Sequence, residues 1–410
     1  MPTPSILLPL RNPIYRKLFS AQVIALLGTG LTTIALGLLA FDLAEDDAGQ
    51  VLGVALALKM ASYVVVAPLV AAWAESRSRK NLLVGLDVIR ALAVVSIAFV
   101  NQVWEVYLLI VVLSSASAGF TPAFQAVIPD IFEDVEKYTE ALSLSRLAYE
   151  LEALLSPALA AALLGVLSYS GLFAANAAAF VCSAILVLTP AIPAAGAGIA
   201  RSQRGFARVT SGIRQYLTVP RLRGLFALNL AAASASAMVV VNTVIYVKSD
   251  FSLDDSDVAW ALGIVGAGSL LVAITLPWVL RRTTDRLLMI RGGLVLALGL
   301  VAATLIESFA ALLLVWAALG VGLALVQTPA GRLIQRSGNP ESRPGLFAAQ
   351  FSLSHFCWFV TYPVAGFAGA AFGLHITAMI LAVLAGASTL LAAALWRSPS
   401  HLPAQPAGNT

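Results

Sequence analysis

Runs of about twenty apolar residues recur from one end of this 410-residue chain to the other. A hydrocarbon core roughly 30 Å thick takes about twenty residues per helix, so such runs are sized to cross a bilayer. Lipid offers backbone N–H and C=O groups no partner, which leaves only helices or closed barrels as spanning structures. The runs are continuous rather than alternating, and too long for barrel strands. They read as twelve helical spans at about 18–42, 51–74, 82–100, 106–127, 141–166, 171–193, 224–247, 258–280, 287–306, 308–329, 346–372 and 374–396. Composition agrees, with 60% apolar and 11% charged residues, where soluble domains carry roughly a quarter charged. A soluble enzyme, a nucleic-acid-binding domain and a secreted disulfide scaffold are excluded. Cys182 and Cys357 both lie inside apolar runs, so no disulfide framework or CxxC site is expected. Arg11, Arg16 and Lys17 precede a first run long enough to span, so no cleavable leader is expected.

Basic residues set the orientation. Of the 25 Lys and Arg, 21 fall in the N-terminus, in loops 2–3, 4–5, 6–7, 8–9 and 10–11, or in the tail. The opposite loops hold only Lys248, and Lys59, Arg90 and Arg146 lie within spans. Positive charge stays inside, so both termini are expected in the cytoplasm and the chain in an inner membrane. The net charge of +4 calls for anionic lipid of the bilayer, not nucleic acid.

The chain also repeats itself. Pro13-Ile14-Tyr15-Arg16-Lys17-Leu18-Phe19 matches Pro220-Arg221-Leu222-Arg223-Gly224-Leu225-Phe226, and Thr121-Pro122-Ala123 recurs as Thr328-Pro329-Ala330. Trp73 with Leu82-Leu83 recurs as Trp278 with Leu287-Leu288, and Ser143-Leu144-Ser145 as Ser352-Leu353-Ser354. The matches keep their order at an offset near half the length, which marks an internal duplication. Each half begins inside after an even number of spans, so the repeat is parallel. The expected organisation is a six-helix half over 1–193, a cytoplasmic linker over 194–223, a second six-helix half over 224–396 and a cytoplasmic tail over 397–410. The fold class is an all-α polytopic membrane protein of twelve transmembrane helices in two parallel six-helix repeats.

Loop 2–3 reads Ala71-Ala72-Trp73-Ala74-Glu75-Ser76-Arg77-Ser78-Arg79-Lys80: small residues, an acid at a helix end, then a basic turn. With the duplication, this resembles the signature of major facilitator superfamily transporters, with Ala71, Glu75 and Ser78 where the family usually has Gly, Asp and Gly. The resemblance implies a conformational latch built from Glu75, Arg79 and Lys80 and drawing on Asp87 and Arg90 of the third span. Ser156-Pro157-Ala158-Leu159-Ala160-Ala161 is similar to the Gly-Pro-x-x-Gly-Gly motif of the family's drug/proton antiporter branch and implies efflux. The fourth span lacks that branch's midway basic residue and is polar only through Ser114, Ser115, Ser117, Thr121 and Gln125. Leu142 to Glu152, with Asn12-Pro13-Ile14-Tyr15-Arg16, also resembles exporters of nickel resistance. Divalent-metal export (nickel or cobalt) is therefore the alternative, although the tail has one histidine, His401.

Ionisable groups inside spans cost at least about 2.5–3.5 kcal/mol each and mark function by default. Lys59, Asp87, Arg90, Arg146, Glu150 and Glu152 qualify, all in the first half. Asp87 and Arg90 lie within two turns of the inner face and read as a structural pair. Arg146 and Glu150 are four apart and share a helix face; Glu152 is turned away from them, near mid-bilayer. A carboxylate that alternates between desolvated and cation-paired surroundings loads and releases a proton. Glu150 or Glu152 is the expected proton-responsive group, with Lys59 or Arg146 as counter-charge. Gln22, Thr29, Gln125, Asn229, Asn242, Tyr246, Gln327, Gln350 and His355 are the polar residues available to line a midplane cavity. His355 and Cys357 are two apart and point to opposite sides, so no metal site forms from them alone. HExxH, Walker and Gly-x-Ser-x-Gly motifs are absent from the sequence. The expectation is a monomeric, proton-coupled secondary exporter of a small molecule or ion, without a cofactor.

Overall fold

The computed structural model describes residues 8–74, 78–132, 134–190, 205–279, 282–338 and 342–396. Among them all regular structure is helical: α1 Pro13–Ala44, α2 Ala48–Ala74, α3 Arg79–Ile97, α4 Val103–Ile131, α5 Val135–Leu164 and α6 Tyr169–Leu188. There follow α7 Gly205–Thr218, α8 Pro220–Ile245, α9 Asp255–Val279, α10 Asp285–Ala303, α11 Phe309–Gln327, α12 Ala330–Gln335 and α13 Arg343–Leu395.

Polar caps start several of these helices. Asn12 accepts from the backbone of Ile14 and Tyr15 at 2.9 and 3.2 Å, with Pro13 at the first helical position. Ser78, Ser168, Thr284 and Ser308 cap α3, α6, α10 and α11 in the same way. Each cap satisfies an N–H that the helix cannot.

At 53 residues, α13 is far too long for one crossing. Gly373, with φ +79°, breaks it into arms over 343–372 and 374–395. That backbone conformation is open to glycine and strained for other residues. The two arms are the eleventh and twelfth spans, divided where the sequence divides them. Nine helices among the described residues, α13 included, are long and apolar enough to cross a membrane. The charged α3 and α5 and the second arm of α13 complete the twelve. Val88, Leu92 and Val95 leave an apolar stripe of α3 exposed, continued just past its end by Phe99, as expected of a lipid-facing wall. Ile376, Ile380 and Val383 do the same on the second arm of α13.

Within the first six helices α1 packs on α6, and α3 on α4 and α6; within the later ones α8 packs on α13, and α11 on α9 and α10. The two sets meet where α5 lies along α9 and α2 along α13. Fully buried tyrosines tie helices together by donating to backbone carbonyls, Tyr15 to Ala141 at 2.6 Å and Tyr246 to Ala303 at 3.2 Å. The basic residues gather at the end of the bundle where α1 begins and α2 finishes. At the opposite end α2 and α13 touch backbone to backbone: a Cβ on Gly53 would lie 2.7 Å from the Tyr362 carbonyl oxygen, and Gly49 abuts Gly366.

The expected linker over 194–223 contains a helix that the sequence reading passed over. α7 packs on the starting turns of α13 and on α2. Its Tyr216 is fully buried and donates to Gln350 Oε1, while Gly212 abuts the Gly345 backbone. Burial pushes the Tyr216 phenol above its ordinary pKa, so it remains a neutral donor across the physiological range. Val209, Gly212, Ile213 and Tyr216 carry the spacing of one helical face, hidden in the sequence by the arginines around them. The fifth helix also begins at Val135, earlier than the apolar run at 141.

The seam between α2 and α13 makes a direct forecast. Gly53→Leu overpacks it and lowers stability by about 1–3 kcal/mol, read as a lower melting temperature in detergent. Gly85→Leu, where a side chain meets nothing within 4 Å, leaves melting unchanged.

Candidate transport site

Charged side chains fall into three settings with different geometry. The first is a clamp at the basic end, present in both halves. Ser78 caps α3 and Thr284 caps α10, which aligns Arg79 with Asp285 and Lys80 with Arg286. Arg79 pairs with Asp130 at the end of α4, while Asp285 pairs with Arg332 and, at 3.1 Å, with Arg336. The repeat thus keeps the ion pair between its third and fourth helices but exchanges the signs. Lys80 donates to the Pro190 carbonyl at 3.0 Å, just past α6. Arg286 donates to the Ala393 carbonyl at 3.1 Å and to that of Trp396, at the end of α13. Cations at terminal helix carbonyls offset the negative end of the helix dipole.

The second setting is a buried pair. Asp87 and Arg90 bond to each other, and both are almost completely enclosed. Ser183 of α6 donates to the second Asp87 oxygen at 2.7 Å. The Arg90 guanidinium lies 4.1 Å from the Phe120 ring centre and 4.5 Å from that of Phe180, a cation–π sandwich between α4 and α6. The expected latch therefore divides: Arg79 and Lys80 reach α4 and the end of α6, and Asp87 and Arg90 close on each other. Glu75 lies outside the described residues.

The third setting is at mid-height, where α1 is flanked by α2 and α5. A Cβ on Gly30 would stand 2.7 Å from Glu152 Oε1 and against the Ser156 side chain. Three residues on, Thr33 Oγ1 accepts from Lys59 Nζ at 3.4 Å. Residues three apart on a helix share a face, with Cβ atoms about 5–6 Å apart. One turn of α1 thus meets Lys59 from α2 and Glu152 from α5. The two do not close into an ion pair like those of the clamp. Besides Lys59, Glu152 faces Ser156, whose hydroxyl donates to Oε1 at 3.4 Å. The carboxylate also lines a cavity of about 240 Å³ between α1 and α5, otherwise walled by Phe19, Val23, Leu27, Leu144, Ala148 and Leu155.

One turn on from Lys59, Tyr63 of α2 meets His355 of α13 across the seam between the halves. Nδ1 of His355 donates to the Phe351 carbonyl at 2.7 Å, so Nε2 carries the lone pair of the neutral ring. The imidazole is 4.0 Å from the Phe351 ring, 5.3 Å from Tyr63 of α2 and 6.2 Å from Trp358, centre to centre. Sequence reasoning reached Lys59, Glu152 and His355 through the cost of polar groups in lipid. It missed Gly30, Thr33, Tyr63 and Phe351, which acquire significance only from what they touch, and it read Ser156 only as part of the efflux-like motif. The side chains of Arg146 and Glu150 lie outside the described residues.

The remaining polar candidates sit variously. Gln22 exchanges hydrogen bonds of 2.7 and 2.9 Å with Ser145, tying α1 to α5. Thr29 bonds back to the Ala25 carbonyl at 2.9 Å. Asn242 is buried against Met238 and the Ala365 carbonyl, Tyr246 is the buried tie to α10, and Gln350 receives the α7 tyrosine. Asn229 is buried with Nδ2 unbonded, Gln125 is half-buried and Gln327 is exposed. Among the described residues no group of three or more His, Cys, Asp or Glu side chains is placed to hold a metal ion. The metal-export alternative finds no ligand cluster there.

Twelve helices in two parallel sets, with charges held between them at mid-height, define a secondary transporter rather than an enzyme. The family model described as Major Facilitator Superfamily matches residues 18–243 and 224–410. The chain belongs to that superfamily. It is 26% identical over 299 residues to the uncharacterized MFS-type transporter YfiS of Bacillus subtilis, covering 70% of each protein. It is 26% identical over 223 residues to macrolide efflux protein A of Streptococcus pyogenes, covering 53% of each, so that match spans about half of that relative's length. Among solved structures, a bacterial homologue of the human lysosomal transporter Spinster, inward-facing and unoccupied, superposes with a TM-score of 0.76. It shares 14% identity, over 96% of this chain and 99% of that one. The nucleoside transporter NupG superposes at 0.68 with 16% identity, over 93% and 98%. These two likenesses establish the fold.

The buried pair has a measurable consequence. Removing one partner leaves an uncompensated charge, so Asp87→Ala or Arg90→Ala costs about 3–5 kcal/mol. The double variant Asp87→Leu/Arg90→Met recovers most of that loss in the melting temperature.

Proposed function

We propose that this chain is a proton-coupled exporter of a small molecule, working as a monomer by alternating access in an inner membrane. The basic end and both termini face the cytoplasm, a reading supported by the distribution of Lys and Arg. The chain divides into two six-helix halves at the linker over 194–223, with the seams of α5 on α9 and α2 on α13 as the surfaces that open and close. Direction is supported by the likeness to macrolide efflux proteins.

The single observation that carries the coupling mechanism is the convergence of Lys59 and Glu152 on one turn of α1. In this reading Glu152 binds the proton and Lys59 is the counter-charge that helps drive it off. When the site is closed to water, the carboxylate's surroundings disfavour its charged form; when Lys59 approaches, they favour it. Rocking of the halves changes both conditions together, since Lys59 stands between α1 and the aromatic cluster of α13. The basic-end clamps hold each half rigid, with Arg79 and Lys80 as its first-half anchors, while the halves rotate.

The test uses purified protein in liposomes with a pH-sensitive dye trapped inside. A panel of macrolides, lipophilic organic cations and amphoteric aromatic compounds is added against a proton gradient. Wild-type protein is expected to move protons when a transported compound is added. Glu152→Gln is expected to abolish that movement while eluting as a normal monomer. Gly30→Val, which drives a side chain into the carboxylate's place, is expected to do the same. Undiminished pH-dependent transport by Glu152→Gln overturns the mechanism.

A further inference from the structure

Lys59 and Glu152 present an unusual combination, because opposite charges this close in a membrane interior gain by closing on each other. They do not. Lys59 rests on the Thr33 hydroxyl and Glu152 on that of Ser156, each at 3.4 Å, a weak hydrogen bond for a charged group. Each retains capacity: the ammonium has three donors and the carboxylate about four acceptor positions. The two approach the same turn of α1 from α2 and α5, with the glycine at position 30 letting Glu152 and Ser156 pack directly on that turn. Beside Glu152 runs the apolar cavity of α1 and α5. Beyond Lys59 stand the rings of Tyr63, Phe351 and His355.

We infer that the transported compound is amphoteric: an amine that bonds to Glu152, an acid group that bonds to Lys59, and an apolar body lodged against the helices beside them. The inference rests on the reading of these two residues as the transport site and names the substrate class that site selects. Its physical basis is charge balance. A ligand with net charge entering a neutral pair leaves an uncompensated charge in a low-dielectric interior, which is costly. An amphoteric ligand meets both charges and leaves the site neutral. It also supplies the charge-assisted hydrogen bonds that the pair lacks in its present geometry. Binding then joins α2 and α5 through the ligand, and protonation of Glu152 releases the amine.

A set of three compounds on one aromatic body separates the alternatives. 3-(2-Naphthyl)alanine carries both charges, 2-(2-naphthyl)ethylamine only the cation and 3-(2-naphthyl)propionic acid only the anion. Equilibrium binding to the purified full chain, measured by titration calorimetry near neutral pH, needs no proton gradient. A failure of proton coupling is therefore distinguishable from a failure of this inference. The amphoteric compound is expected to bind at least about tenfold more tightly than either partner, since each adds or removes one charge-assisted bond. Lys59→Gln is expected to reduce its affinity to that of the amine, and Glu152→Gln to that of the acid, while Lys59→Arg retains the preference. An amine that binds as tightly as the amphoteric compound in wild-type protein overturns the inference in favour of a simple cation site. An acid that does so overturns it in favour of an anion site. Binding by none of the three also overturns it, because two charge anchors and an apolar wall are held here to be sufficient.

Discussion

Everything in this chain follows from a solvent that cannot hydrogen-bond. In hydrocarbon an unpaired backbone group costs several kcal/mol, so the chain must fold as helices whose amides satisfy one another. That requirement explains the polar caps on α1, α3, α6, α10 and α11. It also explains why buried tyrosines end on backbone carbonyls rather than in empty space. The same solvent makes every charge inside the bundle expensive, so each one present reports a structural or chemical task.

Two solutions to that expense stand side by side. Asp87 and Arg90 are neutralised in place, by each other, by a serine and by two aromatic faces. The two charges cancel in place, and the pair acts as a pin through α3, α4 and α6. Lys59 and Glu152 reach one turn of α1 from α2 and α5 without pairing, each with one weak hydroxyl contact. A pair closed on itself gives rigidity; one that stays open gives a site. The clamps at the basic end belong to the first kind. They repeat in both halves with Arg79 and Asp285 exchanged in sign, so duplication preserved the contact while its charges changed.

The division of labour between helices is equally physical. α3 and the second arm of α13 turn apolar stripes outward, and α3 keeps its charged residues on the inward side and at its start. α1, α2 and α5 carry the groups that matter because they meet one another within the first half, and α2 joins them to the first arm of α13 across the seam. The glycines at 49, 53 and 366 let α2 and α13 approach backbone to backbone at the end away from the basic residues. Such a contact holds by van der Waals packing alone, and so can be broken and remade without stranding a polar group.

Much of this was legible in the chain itself, and for one reason: hydropathy is a local property. Twelve spans, the parallel duplication and the break at Gly373 all depend on residues near one another in sequence, or on similarity between segments. The ionisable residues inside spans stood out by the same logic, since a charge in an apolar run is visible without a fold. Which charges meet was not visible. Gly30, Thr33 and Ser156 look like ordinary small residues of membrane helices, and their place beside Glu152 and Lys59 is set by how α1, α2 and α5 cross. α7 was hidden because its buried face is short and surrounded by arginines, and only packing on α13 reveals that Tyr216 is enclosed. The sequence by itself determined that this chain spans a membrane with twelve helices in two copies, because burial in lipid is decided residue by residue. Tertiary structure alone decided which buried charges close on each other and which remain open, because that depends on distances between helices that no single stretch of sequence contains.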